Sequence, residues 1–218
     1  PVFETYIKTY GVELHVVHWD HSKLTPYQPV IMDGVSYYKR TEYNLAKLSQ
    51  LTQEIEPDLI YVVGWMDMDY LRITRKWRAR GVPIVVGFDD VWSGNFRQQL
   101  GSLIMKCIGK LFFSHAFVSF ALQYEFAKRM GFKDENIISN LLSCDTSLFH
   151  GSQSKLSAKR MNYPHTFVYI GRFSQEKGID VLVQAFKLYC NEFSGSWNLL
   201  CVGRGNLRNL FEGVENLK

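Results

Sequence analysis

Short apolar runs rich in strand-forming residues alternate along the chain with longer segments whose apolar positions recur at helical spacing. Several runs are apolar on both faces, as in parallel strands that helices cover on both sides. The predicted strands are Val12–Val17, Leu59–Val63, Ile84–Phe88, Phe117–Phe120, Phe167–Ile170 and Leu199–Val202. The predicted helices are Asn44–Ile55, Tyr70–Ala79, Phe96–Phe113, Leu122–Met130, Val181–Glu192 and Leu207–Phe211. This alternation predicts an α/β fold built on a doubly wound, Rossmann-like parallel sheet.

The alternation breaks between His150 and His165, where Gly, Ser, Lys and Asn replace the apolar period. We interpret residues 151–165 as an interdomain linker between a first domain, 1–150, and the start of a second, 166–218. Two strands follow the linker, and two strands alone do not make a stable parallel sheet. We therefore expect the chain to end inside its second domain.

Composition and charge narrow the class of protein. The chain has 218 residues, of which 46% are hydrophobic and 21% charged, as in a globular protein. Its net charge of +4 suits an anionic ligand or an anionic membrane surface but is too small to indicate nucleic acid. The four cysteines form no C-x-x-C pair, so we expect buried, reduced thiols in a cytoplasmic setting. No apolar run has the length of a membrane span.

The segment from Phe167 to Phe186 carries the most specific chemistry. A predicted strand runs into Gly171-Arg172, and a helix follows Lys177-Gly178. Ligands of open α/β sheets bind at the carboxyl ends of strands, and a helix N-terminus offers free N–H groups to a phosphate. Together with the cations of Arg172 and Lys177, these features predict a diphosphate site.

A second strand also ends in glycines, at Gly203-Arg204-Gly205, before another predicted helix. The third glycine of the G-x-G-x-x-G fingerprint is absent, and the chain contains no G-x-x-x-x-G-K-[ST] loop. A single G-x-G is a weak signal. Two successive strand–glycine–helix edges are stronger, because adjacent strands can present both loops to one ligand.

The order G-R-F-x-x-E-K-G-I-x-x-L-x-x-A-F, followed by V-G-x-G, resembles the second domain of retaining GT-B glycosyltransferases of family four (glycosyl transferases group 1). Upstream, Tyr124–Phe132 and Asn136-Ile-Ile, then Cys144-Asp145 and Phe149, are similar to the end of that family's first domain. Glu56–Tyr61 and Val82–Val86 are family-like strings of lower specificity.

The resemblance implies transfer of a sugar from a UDP-sugar or GDP-sugar to a hydroxyl of a saccharide or lipid-linked acceptor, with retention of configuration. It implies no cofactor and no metal, a cytoplasmic setting that extends to the inner face of the membrane, and a role in polysaccharide or glycolipid biosynthesis. The first domain would hold the acceptor and the second the donor nucleotide. Arg172 and Lys177 would bind the donor diphosphate, together with the glycines Gly171, Gly178, Gly203 and Gly205.

The sequence also departs from the family's pattern. The expected first strand with its Gly-rich loop does not precede Val12, and an acidic E-x7-E pair is absent. The histidine that many members carry after the fourth strand has no counterpart in Val86–Asp90. A non-catalytic binding or partner module derived from such an enzyme is therefore the alternative, and another GT-B activity, such as an epimerase or a phosphorylase, is a third interpretation.

Four further segments have two interpretations each. Asp89 and Asp90 either contact the acceptor or cap the following helix. His15, His18 and His21 are either part of a loop at the sheet edge or metal ligands, and His15 and His18 would point to opposite faces of a strand. The basic cluster around Trp77 is either a solvated helix face or an anionic-lipid contact; its members are Arg72, Arg75, Lys76, Arg78 and Arg80. We expect Phe96–Phe113 to be a core helix, with a membrane-surface helix as the alternative.

Overall fold

The computed structural model describes residues 2–20, 30–144, 146 and 153–213. The chain forms two compact units, Pro1–Thr146 and Ser147–Lys218. The predicted division at the segment 151–165 falls just inside the second unit. The first part of the segment 151–165 lies outside the described residues, as do Asp145 and Phe149 of the family-like string.

The described elements alternate between helix and strand. The helices are α1 Val2–Tyr10, α2 Leu45–Ile55, α3 Met68–Arg78, α4 Phe96–Ile108, α5 Ala121–Arg129, α6 Gln153–Met161 and α7 Ile179–Asn191. The strands are β1 Leu14–His18, β2 Val35–Lys39, β3 Ile60–Val63, β4 Ile84–Phe88, β5 His115–Val118, β6 Ile137–Ile138, β7 Thr166–Ile170 and β8 Asn198–Val202.

Every described strand pair is parallel. The first unit has a four-stranded sheet of order β3-β4-β5-β6 and a two-stranded sheet of β1 and β2. The second unit has the pair β7 and β8. Parallel neighbours require a crossover connection, which helices provide between the strands of the four-stranded sheet and between β7 and β8. Successive strands therefore present their carboxyl ends at the same edge of each sheet.

The core of the first unit lies between the four-stranded sheet and its helices. All five residues of β4 are buried, because this strand lies between β3 and β5. Phe88 meets Trp65 and Phe126 at ring-centroid distances of 5.4 and 5.7 Å, both edge to face. A run that is apolar on both faces thus forms an interior strand, as the sequence predicted.

Helices α2, α3 and α4 begin at residues that cap their first turn. The side chains of Asn44, Asp67 and Asn95 each accept a backbone N–H two or three residues ahead. These bonds satisfy donors that an uncapped helix leaves open. The caps hold the helix starts beside the carboxyl ends of the strands.

The structure differs from the sequence prediction in five elements. Helix α1 and the short strands β2 and β6 were not predicted, and α6 occupies much of the segment interpreted as a linker. Residues 154–161 of α6 are all exposed, so this helix carries no apolar stripe that a periodicity could reveal. The expectation of a core helix at α4 was wrong, because Ser102 is its only buried residue.

Candidate functional site

The predicted diphosphate edge begins where β7 ends. A turn of 3-10 helix, Gln175–Lys177, leads to Gly178, which precedes α7 with a φ of 67°. Glycine adopts this left-handed conformation without a steric cost. Among the residues that the structure describes, no side chain caps the N-terminus of α7. Its first N–H groups and the positive end of its dipole therefore remain available to an anion.

The structure brings the second glycine loop directly against the first. The Phe173 N–H donates to the Arg204 carbonyl at 2.8 Å, and the Leu207 N–H donates to the Phe173 carbonyl at 3.1 Å. A Cβ atom on Gly203 would overlap the Gly171 carbonyl oxygen, and one on Gly205 would lie 2.7 Å from the Phe173 nitrogen. Only residues without a side chain permit this approach. The loops 171–178 and 203–205, which we call the glycine edge, thus form one structure.

The two predicted phosphate ligands are exposed at the glycine edge. An Nη2 of Arg172 lies 2.9 Å from Glu176 Oε1, with the two side chains 69% and 60% exposed. An ion pair this exposed contributes little stability, so Arg172 can exchange it for a phosphate. Lys177 is exposed and makes no ion pair within the described part of the chain. The Tyr169 hydroxyl donates to the Arg172 carbonyl at 2.8 Å and holds the loop in place.

Two buried polar atoms at the glycine edge have no hydrogen-bond partner among the described residues. They are Ser174 Oγ and Asp180 Oδ1, which flank Lys177 and Gly178 in the sequence. Buried polar atoms in folded proteins are nearly always paired, with protein, water or a ligand. The loop therefore retains unused hydrogen-bonding capacity on both sides of the helix start.

Asp89 and Asp90 follow β4 in the first unit, and both are exposed. The alternative that they cap the next helix was wrong, because the cap of α4 is Asn95, whose side chain accepts from the Gln98 N–H. Gln98 also holds the loop that follows the two aspartates: its Nε2 donates to the Val91 carbonyl at 2.9 Å. Both aspartates are thus free of a capping role and stand on a fixed loop.

A buried ion cluster that the sequence did not predict lies at the same end of the first unit. Arg40, directly after β2, donates to both carboxylate oxygens of Asp67 at 2.8 and 3.1 Å and to Asp69 at 3.1 Å. The side chains of Arg40 and Asp67 are only 12% and 10% exposed. The guanidinium also lies over the rings of Trp19 and Tyr70, at 5.5 and 5.2 Å. No sequence spacing links Arg40 with Asp67, because the two residues are far apart in the chain. The tripeptide Arg-Thr-Glu that follows β2 does not by itself indicate a functional site.

This cluster shifts the pKa values of its members. Burial alone would raise the pKa of Asp67, but hydrogen bonds from Arg40 and from backbone N–H groups hold it below the usual value. The carboxylate of Asp67 raises the pKa of Arg40, and burial raises that of Tyr70 to about 12. Asp67 is therefore a carboxylate at neutral pH and Tyr70 a neutral phenol.

A cavity of about 560 Å³ opens beside the cluster. Its lining consists of Trp19, Arg40, Val63, Met66, Asp67, Met68 and Tyr70. These residues lie at or after the carboxyl ends of β1, β2 and β3, where ligands of open α/β sheets bind. The lining combines apolar and aromatic surface with one buried ion pair.

Two of the remaining predicted candidates, His15 and Arg80, have structural partners. His15 contacts the Tyr38 hydroxyl at 3.1 Å and Glu13 at 3.0 Å, while His21 lies outside the described residues. Across the described ranges, no group of three or more His, Cys, Asp or Glu residues is placed to hold a metal ion. In the basic cluster, Trp77 is buried in the core and Arg80 stacks on its ring at 4.9 Å.

The cysteine expectation is corrected in part. Cys107 and Cys144 are exposed, whereas Cys190 and Cys201 are half-buried, and all four are free thiols. Burial raises the pKa of Cys201. Among the helices that the structure describes, none is both long and apolar enough to cross a membrane.

Comparison with known proteins supports the fold. No family model matches the sequence, and no curated protein matches it. Among solved structures, the crystal structure of Anabaena Alr3699/HepE in complex with UDP is similar, with a TM-score of 0.53 and 20% sequence identity. The match covers 79% of this chain and 48% of that one, so this chain spans about half the length of its structural neighbour. The likeness confirms the predicted GT-B-type α/β fold class.

Proposed function

We propose that this chain is part of a glycosyltransferase that takes a sugar from a nucleotide diphosphate donor and transfers it to a hydroxyl acceptor with retention. The observation that carries the proposal is the glycine edge, which joins two strand ends, the uncapped start of α7 and the cations of Arg172 and Lys177. The fold likeness to a structure solved with UDP is consistent with a UDP-sugar or GDP-sugar as donor.

The proposed chemistry depends on charge that develops on the leaving diphosphate. Negative charge grows there as the glycosidic bond breaks, and preplaced cations and helix N–H groups stabilise it without reorganising. Arg172 and Lys177 would supply the cations, and the residues after Gly178 would supply the N–H groups. In the whole enzyme, we expect loss of either cation to cost on the order of 2–4 kcal/mol, or roughly 10²–10³ in rate.

The acceptor would lie at the carboxyl edge of the first unit. Asp89 and Asp90 stand on a loop that Gln98 fixes, and the cavity beside Arg40 provides aromatic and apolar surface. A saccharide or lipid-linked hydroxyl compound is the proposed acceptor, in cytoplasmic assembly of a polysaccharide or glycolipid. The second candidate is a non-catalytic module of the same ancestry, which would bind nucleotide without transferring sugar.

Calorimetry with UDP and with GDP tests the donor site. We expect saturable binding that an Arg172→Ala/Lys177→Ala variant loses. A matched variant, Lys159→Ala/Lys187→Ala, removes the same charge from exposed positions on α6 and α7 and should bind as the wild type does. Equal binding by both variants, or none by the wild type at millimolar nucleotide, would remove the donor-site assignment. Incubation of the whole protein with sugar nucleotide and acceptor then separates the enzyme from the binding module.

A further inference from the structure

The burial pattern of helix α4 is the reverse of that of an ordinary surface helix. Its buried residue is Ser102, and Gly109 just after it is buried too, while Met105 packs against the core. Large apolar side chains lie instead on the exposed surface, with exposed fractions of 80% for Phe96 and 60% for Leu103. A soluble helix normally has the reverse arrangement.

Six exposed apolar residues lie along α4 and the 3-10 turn that follows it, and we call them the outer stripe. Its members are Phe96, Leu100, Leu103, Ile104, Ile108 and Leu111. The first four have the i, i+4, i+7, i+8 spacing of a single helix face, and Ser102 and Met105 point away from it. Contiguous exposed apolar surface on this scale marks an interaction site.

The charged side chains within the segment that carries the outer stripe are all positive. Arg97, Lys106 and Lys110 border it, and residues 91–114 contain no Asp or Glu. None of the three cations takes part in an ion pair within the described ranges. They therefore present uncompensated charge along the same helix that presents the apolar side chains.

This combination fits an anionic lipid surface better than a second copy of the chain. In a two-fold dimer the same patch faces itself, so each copy would bring its cations against those of the other. Like charges across an interface disfavour association. A bilayer with anionic headgroups accepts apolar side chains below its surface and attracts Lys and Arg at the surface.

We propose that α4 is a membrane-docking helix whose outer stripe inserts between the headgroups of anionic lipids. The helix starts directly after the loop that carries Asp89 and Asp90, so docking would hold this edge of the sheet near the bilayer. The inference does not depend on sugar transfer, and its test uses no nucleotide.

Cosedimentation with vesicles tests the docking. We expect the chain to bind vesicles of phosphatidylcholine mixed with phosphatidylglycerol, and to bind phosphatidylcholine alone far more weakly. Lys106→Ala/Lys110→Ala should weaken the binding roughly 25-fold, at about fivefold for each cation. Leu100→Gln/Leu103→Gln should weaken it on the order of tenfold or more. Both changes fall on exposed positions, so circular dichroism should report an unchanged fold.

Matched controls make the result specific to α4. Leu156→Gln/Leu188→Gln removes two exposed leucines from α6 and α7, and Lys159→Ala/Lys187→Ala removes two cations from the same helices; both should bind vesicles as the wild type does. Absence of vesicle binding, or binding that the α4 variants leave unchanged, overturns the proposal. A dimer seen by sedimentation velocity, dissolved by Leu100→Gln/Leu103→Gln and accompanied by no vesicle binding, would assign the stripe to a second copy instead.

Discussion

Gly203 approaches Gly171 so closely that a Cβ atom on Gly203 would overlap the Gly171 carbonyl oxygen. The Gly171 N–H donates to the carbonyl of Val202, the residue before Gly203, at 3.0 Å. The two strand ends are therefore joined backbone to backbone. This contact joins two loops from separate parts of the sequence into one edge.

Gly203→Ala should disrupt this contact. The methyl group forces the loops apart, and we expect a loss of roughly 1–3 kcal/mol in the free energy of unfolding, together with loss of nucleotide binding. Urea unfolding and calorimetry measure the two effects. Gly101→Ala is the control, since a Cβ there meets nothing within 4 Å and a helical alanine should stabilise by roughly 0.5–1 kcal/mol. Undiminished nucleotide binding by Gly203→Ala would contradict the account.

Glu176→Gln should strengthen nucleotide binding. Glu176 holds Arg172 in an exposed pair at 2.9 Å and adds negative charge at the edge where a diphosphate would bind. Its removal frees the guanidinium, and we expect the dissociation constant for UDP to fall by up to roughly fivefold. Glu192→Gln, at the far end of α7, serves as control. Weaker binding by Glu176→Gln would show that Glu176 itself contacts the ligand.

Arg40→Leu should destabilise the first unit strongly. The substitution leaves Asp67 without its guanidinium partner at a side chain only 10% exposed, and an unpaired buried charge costs roughly 3–5 kcal/mol. Thermal unfolding measures the change. Arg72→Leu removes an arginine that is 60% exposed and should change stability by no more than about 1 kcal/mol. Similar effects from both variants would count against a buried ion cluster.

Asp67 should also contribute to the fall in the free energy of unfolding at acid pH. Its folded-state pKa lies below its ordinary value, so the unfolded state binds its proton more readily. The stabilisation is complete above the unfolded pKa of about 4 and is lost as pH falls through the lowered folded value. Asp67→Asn should flatten this part of a plot of unfolding free energy against pH. An unchanged slope would mean that Asp67 titrates normally in the fold.

Replacement of Asn95 should destabilise the protein through the lost cap of α4, whereas replacement of Asp90 should have little effect on stability. Asn95 accepts the Gln98 N–H at 2.9 Å, so Asn95→Ala should cost about 1 kcal/mol, as for other lost caps. Asp90 is exposed and caps nothing, so Asp90→Ala should stay within about 0.5 kcal/mol. Chemical unfolding of the two variants provides the comparison, and a larger effect at Asp90 would reinstate the capping interpretation.

The parts of the fold that the sequence predicted are those with a strong local pattern. Ile84–Phe88 is apolar on both faces and forms the buried strand β4, and the spacing in 179–191 gives α7. Helix α6 escaped prediction because its described side chains are exposed, which removes the hydrophobic period. Helix α4 had the period but the opposite orientation, since a period fixes which residues share a face and not which way that face points.

The candidate site likewise has one part that the sequence predicted and one part that it did not. The loops around Gly171 and Gly203 were predicted because glycine after a strand and before a helix is a local signal. The Arg40–Asp67 pair depends on the ends of β2 and β3, which belong to two different sheets and come together only in the folded unit. No spacing in the sequence could reveal it.

The central claim is that the glycine edge holds a nucleotide diphosphate, and amide NMR during titration with UDP tests it most directly. The account predicts chemical-shift changes concentrated at residues 171–181 and 203–205, with saturation that Arg172→Ala/Lys177→Ala abolishes. Changes centred instead on the cavity beside Arg40, or no changes at millimolar UDP, would contradict it.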